Sequence, residues 1–293
     1  MEIIILGSGT SQGIPVIGCN CRVCHSANAK DKRTRSSIFV KETKQNCSSV
    51  NTNGILIDCG PEFRIQAIRE NISKIDAVFL THSHADHIAG LDDLRSFANT
   101  KQHLSPMQIF SLPITLTNIK KRFDYLFMQT QIGGGKLNCT LHNIENYTKE
   151  KPVKFGNLKI TGVPMKHGNL DTCGYLFREN VCIEQNKTSN KISYKSLAYL
   201  TDCNYLSETS IDLVKNVDIL IIDSLREMPH ETHFCFNETY TVAKKIGAKK
   251  TYVTHLTHNL THDEVNEYFI NLSNKDKSNL VIKAAFDGQR LFL

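Results

Sequence analysis

Three imidazoles and a carboxylate fall within six residues of the stretch Thr81-His82-Ser83-His84-Ala85-Asp86-His87. Imidazole is the commonest side chain for binding first-row metals, and carboxylates complete such shells. In an extended segment His82 and His84 project to one side and reach the same ion. A helix beginning near Ala85 would aim Asp86 and His87 from its first turn toward a second ion beside the first. A metal pair about 3.5 to 4 Å apart lowers the pKa of a shared water and holds the oxygens of a group being cleaved, which is hydrolase chemistry. The competing reading is a chance cluster on a solvated loop. The apolar run Ala77-Val78-Phe79-Leu80 immediately before it argues against that reading.

A second concentration is Gly18-Cys19-Asn20-Cys21-Arg22-Val23-Cys24. The chain has 10 cysteines, and most of the others lie singly in apolar segments. That pattern reads as metal binding plus buried thiols in a reducing compartment. No run approaches the roughly 20 apolar residues that cross a bilayer, and Glu2 to Leu6 is too short for a signal-peptide core, so a cytoplasmic protein is expected. The net charge of +6 would steer an anionic ligand, but the surplus is dispersed and forms no basic tract.

The elements that must position these residues are short, β-branched apolar runs: Ile3 to Leu6, Ser37 to Val40, Ile55 to Ile57, Ala77 to Leu80, Leu158 to Val163, Leu197 to Leu200, Ile219 to Ile222, Thr251 to Val253 and Val281 to Ala285. They read as buried strands. Helices are expected at Pro61 to Glu70, Leu91 to Phe97, Ile114 to Phe127, Ser207 to Asn216 and Asn237 to Ile246. The alternation predicts an α/β protein with layered sheets, and 293 residues with 40% hydrophobic content suit a single large core or two small ones. Lys44 to Asn53 and Asn186 to Lys195 read as polar loops or hairpin tips, and Gln131 to Leu137, with its Gly-Gly-Gly run, as a flexible point. Asp58, His82, His167, Asp202 and His255 each follow a predicted strand, where the sites of α/β proteins form.

These residues resemble the metallo-β-lactamase superfamily, whose signature is His-x-His-x-Asp-His after a strand. The later motifs appear in order, as Lys166-His167-Gly168, Leu200-Thr201-Asp202-Cys203 and Val253-Thr254-His255. The resemblance implies a four-layer αβ/βα sandwich, with residues 1–293 as one domain and a zinc-binding excursion at about 18–36. It implies that His82, His84 and His167 bind one divalent ion and Asp86, His87 and His255 another, with Asp202 bridging them. Asp58 falls where the superfamily keeps a carboxylate that orients a ligand histidine; the alternative is that it caps a turn. A closer resemblance is to the PhnP-like phosphodiesterases, carried by Gly7-Ser8-Gly9-Thr10-Ser11-Gln12-Gly13-Ile14-Pro15, the cysteine cluster and Thr254-His255-Leu256-Thr257-His258. In that branch three cysteines and a histidine hold a structural zinc, which implies Cys19, Cys21, Cys24 and His258 here. Three buried thiols, or His25 or Cys47 as the fourth ligand, are the alternatives.

On the same resemblance His233, in Pro229-His230-Glu231-Thr232-His233, is the candidate catalytic histidine, acting with Asp86; His230 competes with it. The expected reaction is attack of a metal-bridging hydroxide on a small, cyclic phosphodiester, with Mn or Zn in the active site. Arg35 and Arg95 are candidates to hold phosphate. An RNA-processing nuclease and a thioester or lactone hydrolase are the rival enzymes, and a zinc-dependent binding protein the rival from another class. Nucleic acid would enter only as a substrate, no membrane is implied, and the oligomeric state is left open, a homodimer included.

Overall fold

The computed structural model describes residues 1–42, 53–98, 105–129, 135–183 and 191–293. Among these, the strands form two seven-stranded sheets. The first contains β1 (Glu2–Gly7), β2 (Ser37–Lys41), β3 (Gly54–Ile57), β4 (Ala77–Phe79), β5 (Met107–Ser111) and β6 (Cys139–Asn143). The second contains β7 (Val153–Phe155), β8 (Leu158–His167), β9 (Leu170–Ile183), β10 (Lys191–Leu200), β11 (Ile219–Asp223), β12 (Lys250–Thr254) and β13 (Ile282–Ala284). A final strand, β14 (Arg290–Phe292), returns to the first sheet and pairs antiparallel with β1. The orders are β14-β1-β2-β3-β4-β5-β6 and β13-β12-β11-β10-β9-β8-β7.

Both faces of each sheet are covered, which is why the central strands read as unbroken apolar runs. In β1, Ile3 and Ile5 enter the core between the sheets, while Ile4 and Leu6 pack outward under helices, the alternation a strand imposes. The inter-sheet core joins Ile38, Ile57 and Phe79 of one sheet to Tyr175, Phe177 and Ile221 of the other. Outside the first sheet lie α1 (Phe63–Arg69), α2 (Ala85–Ile88), α3 (Arg95–Ala98) and α4 (Pro113–Arg122). Outside the second lie α5 (Glu208–Leu213), α6 (Phe236–Ile246) and α7 (His262–Lys275). The result is the expected four-layer α/β sandwich. Among the described residues, no helix is long and apolar enough to cross a membrane.

Three expectations need revision. Lys191 to Lys195 are not loop: they pair with Ile183 back to Glu179, so β10 starts well inside the polar stretch. The ladder supplies their backbone partners whatever their side chains are. The helix expected over Ile114 to Phe127 stops at Arg122, with a separate 3-10 turn at Asp124–Leu126. The Leu91 to Phe97 segment divides into a 3-10 turn, Leu91–Leu94, and α3. Of the predicted loops, residues 44–52, 131–134 and 186–190 lie outside the described residues.

Candidate metal centre

The first sheet delivers His82 three residues beyond β4. His84 is extended (φ −66°, ψ 153°) and caps α2, whose first turn carries Asp86 and His87. The His82 and His84 rings therefore lie 4.4 Å apart, and His167, the last residue of β8, brings its ring within 5.4 Å of His82 and 5.2 Å of His84. These three can each offer one nitrogen to a common point. Asp86, His87, Asp202 and His255 form a second, adjoining group. In it His87 Nε2 is 3.1 Å from Asp86 and 3.2 Å from Asp202, and His255 Nε2 is 3.2 Å from Asp202. Asp202 also lies 4.0 Å from His82 Nε2, so its carboxylate stands between the two groups.

Three of the turns that present this cluster put a residue other than glycine in the left-handed region: Asp58 (φ 61°), Asp202 (φ 56°) and His255 (φ 62°). Each follows a strand of the sandwich, and each conformation costs on the order of 1 kcal/mol that surrounding structure must hold. For Asp58 the hold is explicit. Oδ1 accepts from the Thr81 backbone N at 2.8 Å, and Oδ2 accepts from Thr81 Oγ1 at 2.9 Å and contacts His87 Nδ1 at 2.7 Å. Asp58 is thus a buried support for His87 and not merely a turn cap. His167 Nδ1 is likewise anchored on the Thr232 carbonyl at 2.7 Å. With Nδ1 held in this way, Nε2 of both rings is the atom that faces the cluster and would be the one offered to a metal ion.

Burial pushes the His82 imidazole well below its ordinary value. Burial acts the same way on His87, but Asp202, Asp86 and Asp58 together hold it well above the usual range. Nε2 of His82 and His87 and both ring nitrogens of His255 are buried without a hydrogen-bond partner. Buried polar atoms are rarely left so. Their convergence with two carboxylates fits divalent metal ions and fits little else.

A separate group meets the notional zinc site. Sγ of Cys19, Cys21 and Cys24 lie 3.3, 3.4 and 3.5 Å from His258 Nδ1. Three thiols facing one imidazole match a closed tetrahedral zinc shell. His25 turns instead to Asn20, 3.3 Å away, and Cys47 lies outside the described residues. Buried Arg33 donates to the carbonyls of Thr257 and, at 2.9 Å, Leu260, tying the segment after the cysteines to the loop beyond β12 that carries His255 and His258.

His233 stacks on His255 (4.5 Å, 16°) and lies 4.5 Å from His167. Its Nδ1 is 2.7 Å from Oδ2 of Asp223, a fully buried residue closing β11. Burial opposes protonation of His233, yet Asp223 raises it to about 9. His230 is exposed and hydrogen-bonds Thr232. Asp223 was missed in the sequence although it follows the predicted strand Ile219 to Ile222 just as Asp58 and Asp202 follow theirs. Arg35 is engaged by Glu62 and the Ser11 carbonyl, and Arg95 by Asp92 on an exposed surface, so each already faces a carboxylate.

A two-sheet sandwich with this ligand geometry defines a class of metal-dependent hydrolases. Residues 53–256 match the β-lactamase superfamily domain, and the chain belongs to the metallo-β-lactamase superfamily, in its PhnP-like branch. A crystal structure of a diphosphatase from the PhnP family superposes with a TM-score of 0.77 at 33% identity, covering 99% of this chain and 96% of that one. Zinc-bound PqqB from Methylobacterium extorquens shares the fold (TM-score 0.71, 21% identity, 100% of both chains). Ribonuclease BN of Escherichia coli K12 is 26% identical over 302 residues, 88% of this chain and 89% of its own. An octanoyltransferase of Porphyromonas gingivalis is 31% identical over 261 residues; 88% of this chain is matched, but only 46% of that protein's length.

Proposed function

We propose that this protein is a phosphodiesterase that hydrolyses small, cyclic phosphodiesters with two divalent ions, Mn or Zn, in its active site and one structural zinc. The observation that carries the reading is the position of Asp202 between two adjoining ligand groups, His82–His84–His167 and Asp86–His87–His255. Divalent ions held by these residues would lower the pKa of a bound water and offset charge on phosphoryl oxygens. The chain's own residues do the rest. Asp58 and the Thr232 carbonyl fix the ring planes and tautomers of His87 and His167. Asp86 and Asp202 balance the positive charge of the centre. His233, anchored through Nδ1 on Asp223, presents Nε2 as the atom that delivers a proton to the leaving oxygen. His230, exposed and turned toward Thr232, is the weaker candidate. Cys19, Cys21, Cys24 and His258 hold the structural zinc, and the 18–36 segment is read as an appendage of one 1–293 domain. Unpaired thiols at the described cysteines suit the cytoplasm.

The similarity to a PhnP-family diphosphatase supports a small phosphate substrate, and that to ribonuclease BN keeps RNA as the second reading. The test is turnover by protein loaded separately with Mn and Zn, using bis-(p-nitrophenyl) phosphate, 2′,3′-cyclic nucleotides, a precursor tRNA and a thioester. Hydrolysis of the small diesters, abolished by Asp202→Ala in a folded protein, is expected. Cleavage of the thioester alone would overturn the proposal, and cleavage of the tRNA alone would replace it with the nuclease reading.

A further inference from the structure

We propose that the cavity between α7, β13 and the turn from β13 to β14 binds a small organic acid: a carboxylate carried on a short apolar or aromatic body. The inference goes beyond the hydrolytic reading and does not depend on it.

The cavity has a volume of about 440 Å³, and none of the residues of the two metal groups lines it. One part of its lining is apolar. Ile282 and Ala284 of β13 are buried there, and Ile270 of α7 and Val281 are more than half exposed. The remainder offers donors. Lys30 and Lys283 line it, no carboxylate does, and neither ammonium pairs with a carboxylate among the described residues. Lys30 Nζ lies over the Phe286 ring, 4.9 Å from its centroid. Asn266 turns its Oδ1 to the Ala284 backbone N at 2.8 Å, and Gln289 its Oε1 to that of Phe286 at 3.4 Å. Each amide therefore has its NH2 end left to donate.

His262, the first residue of α7, is the part that a packing gap does not explain. It is 4% exposed, its backbone N donates to Asp31 Oδ1 at 2.6 Å, and its ring stands edge-on to Phe286 (5.5 Å, 84°). Burial, reinforced by Lys30, lowers the imidazole below its ordinary value, so at neutral pH the ring carries one N–H. Nδ1 is buried without a partner. An orphaned N–H is rarer in folded proteins than an orphaned acceptor, which puts the proton on Nε2. That nitrogen makes no hydrogen bond among the described residues and is the ring atom left to meet a ligand.

These features sort ligands by chemistry. Two ammonium groups repel a cation, and a neutral hydrocarbon would leave the donors unpaired. Inorganic phosphate would leave the apolar lining uncovered. A carboxylate on an apolar body satisfies both parts: its oxygens accept from His262 and a lysine, and its body covers Ile282, Ala284 and the Phe286 ring.

The rival readings are an empty packing gap and a contact made by Ile270 and Val281 with a second copy of the chain. To separate them, the whole metal-loaded chain is titrated calorimetrically with hexanoate, benzoate, hexanol and inorganic phosphate. The same titrations are run on Lys30→Met, His262→Phe and Asp202→Ala, and sedimentation gives the mass in solution. Hexanoate and benzoate are expected to bind saturably, with hexanol and phosphate weaker by about tenfold or more. Lys30→Met and His262→Phe should each weaken both acids about tenfold, the scale of a lost hydrogen bond to a charged group. Lys30 is exposed, so Lys30→Met keeps the test valid if His262→Phe unfolds. Asp202→Ala should leave acid binding unchanged, because it alters only the metal centre. Binding of neither acid, equal binding of hexanoate and hexanol, or loss of binding in Asp202→Ala overturns the site. So does a dimer that takes up no acid and that Val281→Asp separates.

Discussion

Oδ2 of Asp58 lies 2.7 Å from Nδ1 of His87, and both side chains are fully buried. The carboxylate also holds Thr81, so one residue at the end of β3 sets the start of the metal loop after β4. Asp58→Asn keeps the volume but removes the acceptor charge that fixes the His87 tautomer. We expect a loss of about 10- to 100-fold in metal affinity, the usual cost of deleting such a partner. Competition with a chelator measures it, and an affinity within twofold of wild type would sink the role given to Asp58.

His233 and Asp223 are expected to act as one unit on the leaving group. His233→Ala and Asp223→Asn should each reduce turnover by about 10²- to 10³-fold on a diester with an alkoxide leaving group. The loss should be much smaller with p-nitrophenolate, which departs without a proton. Equal losses on the two leaving groups would show that these residues support the metal shell and do not supply a proton.

The cysteine group should hold metal independently of the catalytic cluster. Cys21→Ser or His258→Ala should remove one equivalent of zinc per chain and lower the melting temperature by about 10 °C or more, since a structural zinc contributes on the order of 10 kcal/mol to folding. Elemental analysis alongside calorimetry is the measurement. A full complement of metal in either variant would reject the four-ligand assignment.

Close packing beneath the metal loop predicts a steric effect. A Cβ added at Gly60 would meet the Asp86 carbonyl oxygen at 2.3 Å, so backbone must move. Gly60→Ala should destabilise the fold by about 1–3 kcal/mol and weaken metal binding by displacing Asp86. A variant with wild-type melting and wild-type metal affinity would contradict this packing.

A pH effect is expected at the start of α7. Glu264 accepts from the Thr261 backbone N at 2.9 Å and pairs with Arg22, and these contacts lower its carboxyl from 4.5 to about 2. Because the folded value is depressed, the stabilisation is present above about pH 4.5 and is lost as the pH falls toward 2. The pair is solvent-exposed, so its worth is under about 1 kcal/mol. Chemical denaturation of Glu264→Gln against wild type should show a difference at pH 6 that shrinks through pH 3 and closes only below about pH 2; a constant difference would refute the linkage.

Much of the site was legible because its chemistry is written in short range. His82, His84, Asp86 and His87 are neighbours in sequence, and the strands before Asp58, Asp202 and His255 are buried on both faces and so appear as apolar runs. What escaped reading depends on distance in sequence or on pairing. The Asp223–His233 contact joins the end of one strand to a loop beyond it. Arg122 reaches Ser83 across 39 residues. Lys191 to Lys195 extend β10 through backbone hydrogen bonds that polar side chains do not advertise. The α7 helix has a capping box at Thr261 and Glu264, but its interior is rich in Asn, Asp and Glu, so its apolar stripe is thin in the sequence.

The strand pairing of Glu2 with Phe292, and the approach of Cys19 to His258 from 239 residues away, place the closing of the first sheet and of the cysteine site late in assembly. The β8–β9–β10 meander can form from neighbours, but these contacts wait for loops of the largest span to close, the slow part of folding. His255 lies three residues from His258 and shares its turn. Neither metal group can therefore be complete until these distant parts of the polypeptide have met.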